Sequence, residues 1–229
     1  MASLAQLLAS HGCILVLDAS SASVHIGLLR AGQAPVWHSE QGDAGRTLFT
    51  GVSTCLQTAG LDLDRVPAFA FCEGPGSMLG IRTAAMALRT WLAARPRPVY
   101  RYQSLTLLAH GLRAAGHALP FSVIADARRE TWHTVAVTAD GPAPLRRVPS
   151  TDLAAGNDPL FQPPAFRAWA PPPRPTTPCP YDAPALLAAH ADEPGLFAPT
   201  ETPDAFQHEA PEYKKWSAIV HSAVTAPPR

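Results

Sequence analysis

The chain has 229 residues, enough for one large domain or two smaller ones with a substantial core. Its 18 basic and 18 acidic residues cancel, so no overall positive field favours nucleic acid or an anionic membrane surface. No segment approaches the length of a membrane span, and the spacing of the four cysteines excludes a CxxC motif, which indicates reduced thiols in a cytoplasmic protein.

The first 60 residues predict a short helix, three strands and a longer helix. Residues 1–12 lack the basic and long apolar regions of a signal peptide, so we expect a short helical extension or an early start site. An apolar strand at Ile14–Leu17 ends at Asp18, and Ser23–Leu29 returns as an alternating strand. Residues 35–40 can add a third antiparallel strand. The helix predicted at Arg46–Ala59 has a core stripe formed by Leu48, Val52, Cys55 and Ala59.

The most informative stretch runs from residue 69 to residue 92. Phe69–Cys72 is apolar without alternation, which is typical of a strand buried on both faces. Residues 73–77 then form a stiff turn, because glycine tolerates positive φ and proline fixes its own φ. Ser77 can act as the N-cap of a helix that ends near Leu92. Such a unit directs free N–H groups and a positive helix end at one point, where a phosphate can bind.

That helix carries two apolar lines where a helix on one face of a sheet needs one. The first line consists of Ile81, Ala85, Leu88 and Leu92, and the second of Gly80, Ala84, Ala87 and Trp91. Either the helix is buried between the sheet and another element of the same chain, or its second line contacts another subunit. In the second case one of the neighbouring residues Ala84 and Ala85 faces the core and the other faces the partner.

Residues 98–138 repeat the plan of the beginning. A strand at Pro98–Tyr102 and a helix at Ser104–Ala115 precede an apolar strand at Phe121–Ile124, and Thr131–Thr138 returns as an alternating strand. Asp18 and its counterpart Asp126 are 108 positions apart at the ends of equivalent strands. The repeat predicts two related halves that face each other, with these two carboxylates across one cleft.

The proline content of the chain rises sharply beyond residue 140. Nineteen of the 25 prolines follow that point, and each removes a backbone donor and fixes φ. Short helices are predicted at Thr151–Ala155 and Ala183–His190. We interpret residues 141–203 as a reduced, loop-rich second half wrapped on a small sheet, with partial disorder as the alternative.

Asp18 and Asp126, together with the glycine turn, are parts from which a Mg²⁺ and phosphate site could be built. The competing interpretation is that each carboxylate caps its own turn. Neither GxxxxGK[ST] nor GxGxxG is present, and the nine histidines contain no HxxxH or HxxH pair, which argues against a helical metal site. A basic-aromatic cluster at residues 213–216 is interpreted as a surface anchor, with RNA contact in an assembly as the alternative.

Three stretches, ILVLDASSASVHIGLL, FAFCEGPGSMLGIRTAAMAL and VIADARRETWHTV, resemble the TsaB (YeaZ) family. These are glycoprotease-like proteins of bacterial tRNA threonylcarbamoyladenosine biosynthesis. The resemblance covers Cys13–Val137, and residues 211–215 echo an altered family tail. Its most specific motif is GPGSMLGIR, where the family typically has GPGSFTGLR. The matching residues are Gly74, Pro75, Gly76, Ser77, Gly80 and Arg82, and the departures are Met78 and Leu79. Asp126 begins the family's DAR motif, and Asp18 matches the end of its first strand.

The resemblance implies an actin-like ATPase (ribonuclease H-like) fold of two halves, here 12–102 and a smaller, proline-containing 103–229. It also implies a non-catalytic accessory subunit that binds a TsaD-like catalytic subunit. In that family TsaD transfers threonylcarbamoyl to N6 of adenosine 37 in tRNAs reading ANN codons, with a TsaE-like ATPase assisting. This chain would reach tRNA only through the complex. The heterodimer forms through helices, and a homodimer is the alternative; our candidate interface residues are Leu48, Val52, Ala84, Ala87 and Trp91.

Two enzymatic alternatives remain. One is an actin-like ATPase or phosphotransferase that uses Asp18 and Asp126 and binds ATP or ADP, at most weakly, at the family motif. The other is a metallopeptidase, against which the missing histidine pair argues. For the accessory role we expect no catalytic residue, no resident metal and little or no ATP hydrolysis by the chain alone.

Overall fold

A computed structural model describes residues 2–208 as two mixed β-sheets with helices packed against them. The helices are α1 (Leu4–His11), α2 (Ala44–Ala59), α3 (Met78–Ala94), α4 (Ser104–Ala114), α5 (Ser150–Ala155) and α6 (Ala183–Ala189). Within this part of the chain, no helix is both long enough and apolar enough to cross a membrane.

The strands belong to two sheets of the same plan. They are β1 (Cys13–Asp18), β2 (Ser23–Arg30), β3 (Val36–Gln41), β4 (Ala68–Gly74), β5 (Val99–Gln103), β6 (Phe121–Asp126), β7 (Thr131–Thr138), β8 (Gly141–Pro142), β9 (Arg146–Pro149), β10 (Leu160–Gln162), β11 (Thr176–Pro178) and β12 (Ala198–Pro199). The first sheet has the order β12-β5-β4-β1-β2-β3, and the second has β11-β10-β6-β7-β8 with β9 also paired to β7.

The same mixed pattern occurs in both sheets. β1 pairs antiparallel with β2 and parallel with β4, which pairs parallel with β5. In the same way β6 pairs antiparallel with β7 and parallel with β10, which pairs parallel with β11. This order is the ribonuclease H-like topology that actin-like ATPases contain twice. Because β1 and β6 start at 13 and 121, and β2 and β7 at 23 and 131, the predicted repeat is confirmed strand by strand.

Helices cover the first sheet on both faces. Alternate residues of its central strands, such as Leu15 and Phe69, pack with α2 and α3 in one core. The residues between them, such as Ile14 and Ala68, pack against α1 and against side chains of α4 and α6. All seven residues of β4 are therefore buried, as the unbroken apolar run predicts.

α3 is buried between the sheet and α2, which is the first of the two interpretations of its apolar lines. It contacts β4 and β1 on one side and α2 on the other. Ala84 is 0% exposed and Ala85 1% exposed, so the expectation that one of them faces a partner is wrong. Small side chains allow the sheet and a second helix to approach α3 on adjoining faces.

The two ends of the described chain meet at the first sheet. Ser3 caps α1 in a capping box with Gln6, and Leu4 and Leu7 are buried, so the helical extension belongs to the core. Ala2 pairs with Phe197, and β12 pairs with β5 at the edge. The division into 12–102 and 103–229 stays a prediction. Strand β12, although it comes from the second of these ranges, belongs to the first sheet.

The proline-containing region forms short elements around the second core. The two short helices predicted there are α5 and α6. The run Pro171–Pro180 contributes only β11, an edge strand, which is where proline is tolerated because it lacks a donor. The basic-aromatic cluster at 213–216 lies outside the described residues.

The burial of α3 makes a prediction about stability. Ala84→Glu and Ala85→Glu should each lower the free energy of unfolding by several kcal/mol, because each buries an unpaired charge. Met86→Glu is the matched control, since Met86 is 56% exposed on the same helix. Urea unfolding of the three variants tests this, and an alanine variant as stable as Met86→Glu would contradict it.

Candidate functional site

Asp18 lies at the end of β1 with none of its surface exposed. One carboxylate oxygen, Oδ1, accepts from the backbone N–H and the hydroxyl of Ser20, at 2.9 and 2.7 Å. The other, Oδ2, accepts from the hydroxyls of Tyr102 and Tyr181, at 2.7 and 2.6 Å. Burial, reinforced by repulsion from the carboxylate, raises the pKa of both tyrosines well above 10, so both remain protonated donors.

This geometry supports a structural role for Asp18. The contact to Ser20 is the local turn cap that a strand-end aspartate can make to its own chain. A metal ion or a nucleotide phosphate at this carboxylate would have to displace a buried tyrosine hydroxyl. The assignment of Asp18 to nucleotide binding stays a prediction, and its present partners favour the competing interpretation.

The backbone of the glycine turn, residues 73–77, packs against the turn between β1 and β2. Ser77 caps α3 as predicted, with its hydroxyl accepting from the N–H of Gly80 at 3.3 Å. The N–H of Ser77 donates to the carbonyl of Ser20 at 2.7 Å. A Cβ on Gly76 would lie 2.0 Å from that carbonyl oxygen, and one on Gly80 would lie 2.2 Å from the carbonyl oxygen of Ala19. The glycines therefore allow the turn between β1 and β2 to pack directly against the start of α3.

The remaining residues of the GPGSMLGIR motif differ in their surroundings. Gly74 has a φ of 113°, which only glycine adopts easily, and the carbonyl of Pro75 accepts from the buried hydroxyl of Ser104. Arg82 is exposed on α3.

Glu73, directly before the glycine turn, was missed by the sequence reasoning. It is 5% exposed, and Arg101 donates to both of its carboxylate oxygens, at 2.9 and 2.7 Å. Gln103 adds a third hydrogen bond at 3.1 Å. A charged residue that ends an otherwise apolar buried strand is the signal that could have found it. Its partners satisfy the charge, which fixes β4 to β5.

Asp126 caps its own turn in the same manner as Asp18. Its Oδ1 accepts from the N–H of Arg128 at 2.5 Å, and its Oδ2 accepts from the backbone N–H groups of Trp169 and Ala170, at 2.6 and 2.9 Å. Asp126 is partly exposed, and three consecutive residues after Ala127 have left-handed φ values between 51° and 63°. The aspartate therefore holds an unusual turn and a distant segment together.

One segment of this chain, residues 163–181, contacts both aspartate turns. The carbonyl of Ala165 accepts from the N–H of Ala22 at 3.0 Å, and Tyr181 binds Asp18. The backbone of Trp169 and Ala170 binds Asp126. The expectation that the two carboxylates lie across one cleft stays a prediction, and this segment is hydrogen-bonded to both strand ends.

The candidate interface residues lie mainly in the first core. Leu48 and Ala84 are 0% exposed, and Val52 and Ala87 are also buried. Only Trp91 is partly exposed. A side chain without exposed surface cannot contact another protein, so a partner contact through these helices would require other residues.

The apolar side chains that α2 and α3 do present to solvent form what we call the α2–α3 face. Its members are Phe49 at 51% exposure, Met78 at 40%, Leu79 at 71% and Met86 at 56%. The ring of Phe49 lies 6.4 Å from that of Trp91, which links the two helices across this face. Leu79 and Met86 are seven residues apart and therefore lie on one line of α3.

Over residues 2–208, no group of three or more His, Cys, Asp or Glu side chains is placed to hold a metal ion. A concave surface of about 380 Å³ lies beside Asp126 and is lined by its turn and by Trp132, Trp169 and Ala170. Asp18 does not line it.

Comparison with known proteins shows similarity to proteins of tRNA threonylcarbamoyl modification and to YeaZ. Residues 46–151 match the family described as TsaD, tRNA N6-adenosine threonylcarbamoyltransferase. The structure is similar to YeaZ from Pseudomonas aeruginosa, with 25% identity, a TM-score of 0.54, and coverage of 66% of this chain and 74% of that one. The same values hold for an uncharacterized protein with similarity to peptidase YeaZ from the same organism. Among curated proteins, no sequence matches.

Removing the Asp18 carboxylate should destabilise the fold strongly. Asp18→Ala leaves several buried donors without an acceptor, so we expect the free energy of unfolding to fall by roughly 3 to 5 kcal/mol. Tyr181→Phe removes one donor only and should cost about 1 to 2 kcal/mol. Urea unfolding measures both. Equal and small effects would show that the network contributes little.

The hydrogen bonds that occupy the Asp18 carboxylate and the N–H of Ser77 predict no steady ATP turnover by this chain alone. Phosphate release from Mg²⁺-ATP should equal that of a protein-free control, and Asp18→Asn should leave it unchanged. Turnover above background that Asp18→Asn abolishes would instead favour the ATPase alternative.

Proposed function

We propose that this chain, a TsaB-like member of the glycoprotease family, takes part in threonylcarbamoyl modification of tRNA as an accessory subunit. Its partner in this proposal is a TsaD-like catalytic subunit, which modifies N6 of adenosine 37, and a TsaE-like ATPase acts on the assembly. A tRNA substrate implies a cytoplasmic location.

The α2–α3 face is the observation that carries the accessory role. It places four large apolar side chains on neighbouring helices, each at least 40% exposed. Large exposed apolar side chains on neighbouring helices support a protein contact, because a partner that covers them removes apolar area from water. The family forms its heterodimer through helices, which agrees with a contact at α2 and α3.

The two aspartate turns support an accessory role over a catalytic one. In an actin-like enzyme the strand ends and the glycine turn can receive metal and phosphate. In this chain the Asp18 carboxylate accepts four hydrogen bonds, and the N–H of Ser77 donates to the carbonyl of Ser20. The groups that would perform phosphate chemistry are used to hold the fold together.

Single substitutions to glutamate on the α2–α3 face test the proposed partner contact. Met86→Glu and Phe49→Glu should each weaken binding to a TsaD-like subunit by at least roughly tenfold, because each buries a charge in an apolar contact. Leu119→Glu is the matched control, since Leu119 is 43% exposed outside α2 and α3. Sedimentation and titration calorimetry measure the complex, and circular dichroism confirms the fold.

Reconstitution completes the test. A TsaD-like subunit, a TsaE-like ATPase and this chain should modify tRNA, and the mixture with Met86→Glu should do so poorly. Binding by Met86→Glu and Phe49→Glu equal to that of Leu119→Glu would exclude the α2–α3 face. If the same variants abolish only self-association, the face is a homodimer contact.

A further inference from the structure

A second exposed surface, on the other half of the molecule, is rich in arginine. It consists of Arg128, Arg129, Arg147, Arg167 and Trp169, which we call the arginine–tryptophan surface. Its indole is 50% exposed, although tryptophan is among the most apolar side chains by area. The guanidinium of Arg167 lies 3.7 Å from the centre of that ring, and the guanidinium of Arg128 lies 4.5 Å from it.

Strand pairing brings Arg147 to the same place. β9 pairs with β7, so that Arg147 lies opposite His133. Arg147 donates to the hydroxyl of Thr131 at 2.7 Å, and that hydroxyl donates to the carbonyl of Arg128 at 2.7 Å. Arg147 is therefore connected to the turn that carries Arg128, whereas Arg146, the residue before it in the strand, points to the other face of the sheet.

Asp126 builds this surface and contributes one negative charge to it. Its carboxylate accepts three backbone N–H groups, one from Arg128, one from Trp169 and one from Ala170. Asp126 and Glu130 both line the cavity of about 380 Å³ beside the exposed indole. The four arginines outnumber these two carboxylates, which leaves a local excess of positive charge on a chain whose formal net charge is zero.

We propose that the arginine–tryptophan surface binds RNA that carries an unpaired base. The planar guanidinium fork pairs with phosphate oxygens in two parallel hydrogen bonds, which suits arginine better than lysine for this contact. The guanidinium planes of Arg167 and Arg128, which lie over the half-exposed indole of Trp169, provide a stacking position for a splayed base. An acidic peptide would pair with the arginines but would leave this stacking position unused. This goes beyond the accessory role, in which tRNA is reached only through the catalytic subunit, and it rests on this surface alone.

The full chain without any partner tests the proposal against two labelled probes. One is an RNA stem–loop with an unpaired loop, and the other is a blunt RNA duplex with the same number of phosphates. The wild type should bind the stem–loop more tightly, with an affinity that falls as salt rises. Arg167→Glu and Arg147→Glu should each lower the affinity for both probes by roughly tenfold.

Trp169→Ala should lower the affinity for the stem–loop by roughly tenfold and abolish the preference for it over the duplex. Arg65→Glu is the control, because Arg65 is exposed in the first half and should leave binding unchanged. Met86→Glu should also retain RNA binding, which separates this proposal from the partner contact. Equal binding of both probes, unchanged binding by Trp169→Ala, or absence of binding at low salt would each overturn the proposal.

Discussion

The fold depends on one buried carboxylate with four donors. Burying the charge of Asp18 costs free energy that only a complete set of hydrogen bonds can offset. Those bonds come from three places in the chain: the turn after β1, the end of β5, and Tyr181 beyond β11. Because Tyr181 belongs to the region of the second sheet, the same carboxylate that ends a strand of the first half also binds the second.

That contact changes what the actin-like plan can do. An actin-like enzyme needs space between its two strand ends for a nucleotide. In this protein residues 163–181 are hydrogen-bonded to both ends, and the carbonyl of Ser20 takes the N–H at the start of α3. The polar groups at these strand ends stabilise the fold, and the two exposed surfaces are the remaining candidates for function. One of them is apolar and the other is rich in arginine, which suits two different kinds of partner.

The repeated strand pairs could be predicted from the local sequence, because each pair appears as an apolar run, an aspartate and an alternating return strand. The glycine turn and its serine cap could also be predicted from the sequence. The sequence could not reveal that Tyr181 would donate to Asp18, 163 positions away, or that β12 would return to the first sheet. Periodicity also could not decide what covers the second line of α3. A neighbouring helix and a partner subunit require the same small apolar residues, so Leu48 and Ala84 were assigned to an interface although both are core.

The family motif itself now has a physical interpretation. In GPGSMLGIR the matching glycines, Gly76 and Gly80, lie where a Cβ would collide with the backbone of the β1–β2 turn. The two departures, Met78 and Leu79, are 40% and 71% exposed, so their side chains are not constrained by that contact. In this chain the matching glycines lie where the chain contacts itself, and the two departures lie where side chains reach solvent. Arg82 is the matching residue that this packing does not explain, because it is exposed. It lies between Leu79 and Met86 on α3, and we expect its guanidinium to act in the partner contact together with them.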